Sequence, residues 1–335
     1  MQVSSFPDVL KFSALRDRGA ELKRGVEDAY RELTTGRLSK VDATRNLNGR
    51  LGDAHLIRRQ IDQIDTKNSS FALSLGRADV VEKSLDLVIE SIGSLPETLG
   101  AAVGLGDDQS LELSAEQARS SLDQVVSSLN VRYGQRYLFG GDAVSAAPVA
   151  SGSDIIAAVE TAVAGATTAA EVTLALDAFF APGGGYETEV YQGGTGDLPA
   201  IELAEGDRVA LEPRADEQAF RDTIRGLATA SIAQGLGLER RERDVIIAEA
   251  GSYMSAGIDG TAKTIASVGL AGQRIETAQA RNNAEQAVLM ETYGVMTGAD
   301  QLAAASRAQE LEALLQTTYT VTARLSALNF NNFIR

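Results

Sequence analysis

Apolar and small residues near the start of the chain recur on two interleaved seven-residue spacings. Phe12, Gly19, Val26 and Leu33 form one set, and Leu15, Leu22 and Ala29 follow the first three of them by three places. This is a heptad seam, the pattern of a helix that packs along another helix. Lys23, Arg24, Glu27, Asp28, Arg31 and Glu32 fill the remaining faces, and Thr34-Thr35-Gly36 supplies the stop. After a polar segment, Arg37 to Asn48, a longer periodic stretch carries Ile57, Ile61, Ile64, Phe71, Leu75, Leu85, Val88, Ile92 and Leu95. Read as one helix from Asp53 to Leu95, ended by Pro96, it would be about 65 Å long and could not bury its stripe alone.

Gly100 to Gly106 reads as a glycine-rich turn, and Ser114-Ala115-Glu116-Gln117 as a capping box opening a third helix. Ala118, Leu122, Val125, Leu129 and Tyr133 continue its apolar face until Gly140-Gly141 turns the chain away. Between Asp142 and Gly237 the texture changes. Helices are expected over 154–163, 169–180 and 216–232, and short strands over 187–191, 201–204 and 207–213. Helical spacing then returns through Ile246, Tyr253, Ile265, Val268, Ile275 and Leu289, with a break at Gly298-Ala299-Asp300. Leu311, Leu314, Thr318, Val321, Leu325 and Leu328 close the chain in steps of three and four.

The expected fold is mainly α: an elongated antiparallel bundle of long helices with coiled-coil terminal helices and a small inserted α+β domain. Its divisions are an amino-terminal coiled-coil helix (1–36), two halves of a helical rod (37–141 and 238–298), the insertion (142–237) and a carboxy-terminal coiled-coil helix (299–335).

Composition narrows the function. Of the 335 residues 44% are hydrophobic but only 5% aromatic, with no Trp, an alphabet suited to narrow helical bundles. The net charge of -15 argues against a nucleic-acid or anionic-membrane partner. Without cysteine there is no disulfide, thiolate site or cysteine nucleophile. Met1 to Phe12 lacks the pattern of a cleavable secretory signal, and no apolar run is long enough for membrane insertion.

Catalytic chemistry finds little footing, and neither a cofactor nor a metal is expected. His55, the one histidine, stands among Arg50, Asp53, Arg58 and Arg59, without the partners that general acid-base work needs. Asp107-Asp108 lacks the ligand spacing of a calcium loop and reads as a polar turn. Gly183 to Gly185 and Gly193-Gly194 lack the strand-loop-helix context of a phosphate cradle. Glu239 to Asp244 mixes signs at helical spacing, as a solvated face does.

Periodicity alone leaves open whether the terminal seams close a bundle within a monomer or pack between subunits. Several motifs in consistent order bear on this. Arg281-Asn282-Asn283-Ala284-Glu285, Ala308 to Leu315, and Tyr319 to Ser326 closely resemble the carboxy-terminal region of the flagellin superfamily. Leu33-Thr34-Thr35-Gly36-Arg37 is similar to the step after the first terminal helix there. Arg132 to Gly141 and Ala215 to Ala228 resemble segments of its hook-filament junction branch. The segment after Gly36 lacks the Asp-Asp-Ala-Ala-Gly pattern of filament flagellins, which favours the junction branch, and the ending Phe330 to Arg335 is more polar than that branch's usual terminus.

The resemblance implies a non-enzymatic structural subunit of the bacterial flagellum, exported without a cleavable signal and located outside the cell. It would self-assemble into a ring, with flagellin on one side and the first hook-associated protein on the other, and would be held before export by a flagellar export chaperone. Its subunit-packing residues would be Phe12, Leu15, Leu22, Val26, Leu33, Leu311, Leu314, Val321, Leu325 and Leu328. A divergent filament flagellin and a soluble coiled-coil adaptor are the alternatives.

Overall fold

The structure is a computed structural model that describes residues 6–39 and 51–333, with side chains described over 13–39 and 52–324. Part of the polar segment 37–48 and the side chains of Phe330 to Arg335 therefore lie outside the described residues. In chain order the elements are α1 (Phe6–Thr35), α2 (Leu51–Ile92), α3 (Leu95–Leu105) and α4 (Asp108–Leu129). A hairpin, β1 (Arg132–Tyr133) and β2 (Arg136–Tyr137), leads to α5 (Gly152–Ala162), α6 (Ala169–Phe180) and one π-helical turn at Tyr186–Val190. A second hairpin, β3 (Ile201–Ala204) and β4 (Asp207–Val209), precedes α7 (Gln218–Ile232), α8 (Arg240–Thr297) and α9 (Gln301–Phe333). The fold is mainly α, and both sheets among the described residues are two-stranded and antiparallel.

Contacts divide the chain into two units, residues 1–67 with 281–335, and residues 68–280. In the second unit one apolar cluster runs through Phe71 and Leu85 of α2, Leu122 and Leu129 of α4, Val159 of α5, Phe180 of α6, Phe220 and Ile224 of α7, and Met254 of α8. The segment read as an insertion thus shares its core with α2, α4 and α8. Helix α7 lies at the centre and is buried on nearly every face. Glycine permits its close approach to α8: a Cβ at Gly226 would stand 2.8 Å from the Ala250 carbonyl oxygen, and one at Gly257 would stand 2.8 Å from the Thr223 nitrogen.

Arginines do much of the tying around α7. Arg221 Nε donates to the Asp216 carbonyl at 2.6 Å, and its guanidinium pairs with Glu187. Arg225 pairs with Asp177 at 2.7 Å and Glu249 at 3.2 Å, and stacks 3.8 Å from the Tyr253 ring. Arg221 thus ties α7 to the π-helical turn, and Arg225 ties it to both α6 and α8.

Five local expectations are corrected. Gly93, with φ of +51, ends α2, and Pro96 sits in the first turn of α3, where its missing N–H costs nothing. Gly100 and Gly104 are helical, and only Gly106, with φ of +68, makes the turn. Helix α4 begins at an Asp107 cap whose side chain accepts from the Gln109 N–H at 3.2 Å, so Ser114 is a buried position inside the helix. It ends at Leu129, and Tyr133 belongs to a hairpin turning at Gly134, φ +62. Residues 186–190 form the π-helical turn rather than a strand, with only Tyr191 bridging to Val149.

Candidate assembly surface on the terminal helices

In the first unit α1 and α9 lie antiparallel. Gly36, with φ of +64, ends α1 and swings the chain back, so that the Leu38 N–H donates to the Thr297 carbonyl at 2.9 Å and the Ala299 N–H to the Gly36 carbonyl at 2.9 Å. Further along, the Tyr30 hydroxyl donates to Glu312 at 2.8 Å, a bond that, followed by the Glu312 charge, raises the pKa of the phenol.

The facing side of α1 carries Leu15, Gly19, Leu22, Val26, Ala29 and Leu33, all buried or half-buried. The facing side of α9 carries Ala304, Ala308, Leu311, Leu315, Thr318 and Thr322, spaced four, three, four, three and four. Large side chains are few here. A Cβ on Gly25 would sit 3.1 Å from Leu311 Cδ1, whereas Gly19 has nothing within 4 Å, and a groove of about 580 Å³ opens there, bordered by Leu15, Arg16, Lys23, Thr318 and Tyr319.

The expected packing residues therefore fall into three groups. Leu15, Leu22, Val26, Leu33 and Leu311 line the pairing within the chain. Leu314 and Val321 point away from it, 46% and 41% exposed. The side chains of Phe12, Leu325 and Leu328 lie outside the described residues. Helix α9 thus carries two adjacent stripes that share Leu311 and Thr318, one turned to α1 and one turned outward. On α8 within the same unit, Val288 and Val295 are also exposed, seven residues apart.

Glu32 was not legible as a functional residue. It occupies a flanking position of the heptad, yet is only 1% exposed, because the chain folds back over it. One carboxylate oxygen accepts the Ser39 N–H at 2.6 Å and the other meets Arg307 at 3.2 Å.

Other candidates resolve into local structure. His55 is exposed on α2. Asp107 caps α4, and the Ser110 hydroxyl and nearby amides hold its carboxyl below the usual range. Arg243, in the mixed-charge run, pairs with Asp108 at 2.7 Å. Among the described residues no group of three or more His, Cys, Asp or Glu is placed to hold a metal ion, and no helix is long and apolar enough to cross a membrane.

Residues 252–334, covering most of α8 and essentially all of α9, match the family described as the bacterial flagellin C-terminal helical region. The likeness to flagellin thus falls on the carboxy-terminal helices. Among solved structures, a putative flagellar hook-associated protein from Vibrio parahaemolyticus shares the fold with a TM-score of 0.50 and 14% identity, over 76% of this chain and 97% of its own. FlgL from Bacillus cereus superposes with a TM-score of 0.47 and 16% identity, over 71% of this chain and 98% of its own. No curated protein matches the sequence. The flagellin-type region includes the whole α9 side of the pairing and both of its stripes.

Proposed function

We propose that this chain is a structural subunit of the bacterial flagellum that joins the hook to the filament, packing against its neighbours through the terminal helices. The observation that carries the reading is that the flagellin-type region coincides with a helix whose second apolar stripe, Leu314 and Val321, is left uncovered by α1. Apolar side chains repeated at heptad spacing on an exposed face gain free energy by packing against another helix. Such a subunit needs no catalytic site: its work is to hold two kinds of neighbour at once. Flagellin lies on the filament side, the first hook-associated protein on the hook side, and an export chaperone covers the carboxy-terminal helix before passage out of the cell.

Localisation tests this reading. An epitope placed on the exposed Leu174 side of α6 and followed by immunogold labelling should mark one short zone between hook and filament. Label along the whole filament would assign the chain to filament flagellin, and label confined to the cytoplasm would identify a soluble adaptor; either result would overturn the junction reading.

A further inference from the structure

We infer that Glu32 sets the register of the α1–α9 pair: its buried carboxylate, shared between the Ser39 N–H and the Arg307 guanidinium, selects which heptad of α9 lies beside α1. The apolar seam bears on that choice only through side-chain size. Gly19, Ala29, Ala304 and Ala308 occupy many of its positions, and among the described residues Leu22 is its one large side chain that is buried. Sliding α9 by one heptad, about 10.5 Å, moves Leu311 and Leu315 into the places of Ala304 and Ala308, or into those of Thr318 and Thr322, so that each exchange is one of side-chain size.

The carboxylate does discriminate. Arg307 is its partner in the observed register. A slide of seven residues one way would bring Leu314 to that place and leave the charge without its guanidinium. A slide the other way would bring Asp300, a like charge, against a buried carboxylate. Both are strongly unfavourable where water is excluded, whereas the observed register satisfies both oxygens. Single buried polar residues fix register in other helical pairs by the same asymmetry.

The same carboxylate organises the return of the chain. Ser39 lies directly after the stretch, Gly36 to Leu38, that bonds to Thr297 and Ala299. Glu32 therefore couples the side-chain register of the helices to the backbone bridge at their closed end. That bridge is the competing explanation, since it could fix the register unaided.

The absence of cysteine allows a direct test in the full chain. Tyr30→Cys with Glu312→Cys reports the observed register, because those side chains touch on the exposed flank. Tyr30→Cys with Ala305→Cys, or with Tyr319→Cys, reports a one-heptad offset in either direction. Each pair is treated with a short thiol-to-thiol cross-linker, in otherwise unchanged protein and together with Glu32→Ala, Glu32→Gln or Arg307→Met. The in-register product should dominate in unchanged protein. Glu32→Ala should raise the ratio of offset to in-register product about tenfold, Arg307→Met should move it the same way, and Glu32→Gln, which keeps an acceptor for Ser39, should move it least. An unchanged ratio in Glu32→Ala would mean that the backbone bridge suffices and would overturn the proposal. So would a parallel loss of all products, which would make the clasp a source of stability rather than register, or the lack of any in-register preference in unchanged protein.

Discussion

Leu314 and Leu22 are both leucines of the terminal pair, but substitutions at the two should fail at different stages. Leu22 is 6% exposed between α1 and α9. Truncating a buried leucine to alanine typically costs about 2 to 5 kcal/mol, and the alanine-rich surroundings leave little to collapse into the gap. Leu22→Ala should therefore weaken the pairing within one chain. Leu314 is 46% exposed, so roughly half of the 1.5 to 3 kcal/mol available from burying a leucine, about 1 kcal/mol, remains to be gained when a neighbour covers it. Leu314→Asp gives up little in the free subunit and, once covered, places an unpaired carboxylate in an apolar contact, at a cost of several kcal/mol.

Two assays separate these effects. Hydrogen exchange over 13–35 and 301–324 in the purified chain should quicken in Leu22→Ala and stay near the unchanged protein's rates in Leu314→Asp. Incorporation into flagella of a strain lacking its own copy should be lost in Leu314→Asp. Normal incorporation of Leu314→Asp would refute the outward stripe as an assembly surface. Equal quickening in both variants would refute the division of α9 into two stripes.

Other substitutions test the second unit. Gly257→Ala drives a Cβ into Thr223 and should destabilise residues 68–280 by about 1 to 3 kcal/mol in urea unfolding, since both partners are packed backbone. Arg225→Met removes the cation shared by Asp177, Glu249 and the Tyr253 ring; it should cost about 3 kcal/mol, and a stability within error of the unchanged protein would show that the arginine can be replaced by apolar packing alone. Glu212 is paired with Arg77 at 2.9 Å and Arg136 at 3.4 Å, yet burial outweighs both cations and raises its pKa. A raised carboxyl pKa means the folded state binds the proton more tightly, so this contribution is present in acid and is lost as the pH climbs from the usual glutamate range, about 4.3, through the folded value. Urea midpoints measured against pH should show that decline, and Glu212→Gln should flatten it; an identical slope in the variant would exclude Glu212 as its source.

What the sequence made legible follows from how locally each feature is determined. The stop at Gly36 and the span of α6, 169–180, depend on residues a few places apart, and both are found as expected. The fold class was likewise readable, because long 3-4 spacing has no other common outcome. Pro96 misled because a proline can end one helix or begin the next, and the positive φ at Gly93 decides between them. Residues 187–191 alternate like a strand, but the Tyr186 side chain is drawn into the core, where its hydroxyl donates to the Ala215 carbonyl at 2.7 Å, and the backbone winds around that anchor. Neither distinction is carried by a local pattern.

The two stripes of α9 show the same limit where function is concerned. Steps of four and three through Ala304, Ala308, Leu311, Leu315, Thr318 and Thr322 satisfy the heptad rule as well as Leu311, Leu314, Thr318 and Val321 do. Reading by hydrophobicity selects the stripe richer in large residues, and α1 in fact covers the stripe richer in small ones. Small residues let two helices approach closely at little gain in apolar burial. Leu314 and Val321 are then left facing outward, available to a neighbour. A pair built this way selects its register through apolar contact by size alone, and the buried charge at Glu32, costly in isolation, adds a selection by charge. Close approach to α1 and an apolar outward face are thus two consequences of one choice of residues on α9.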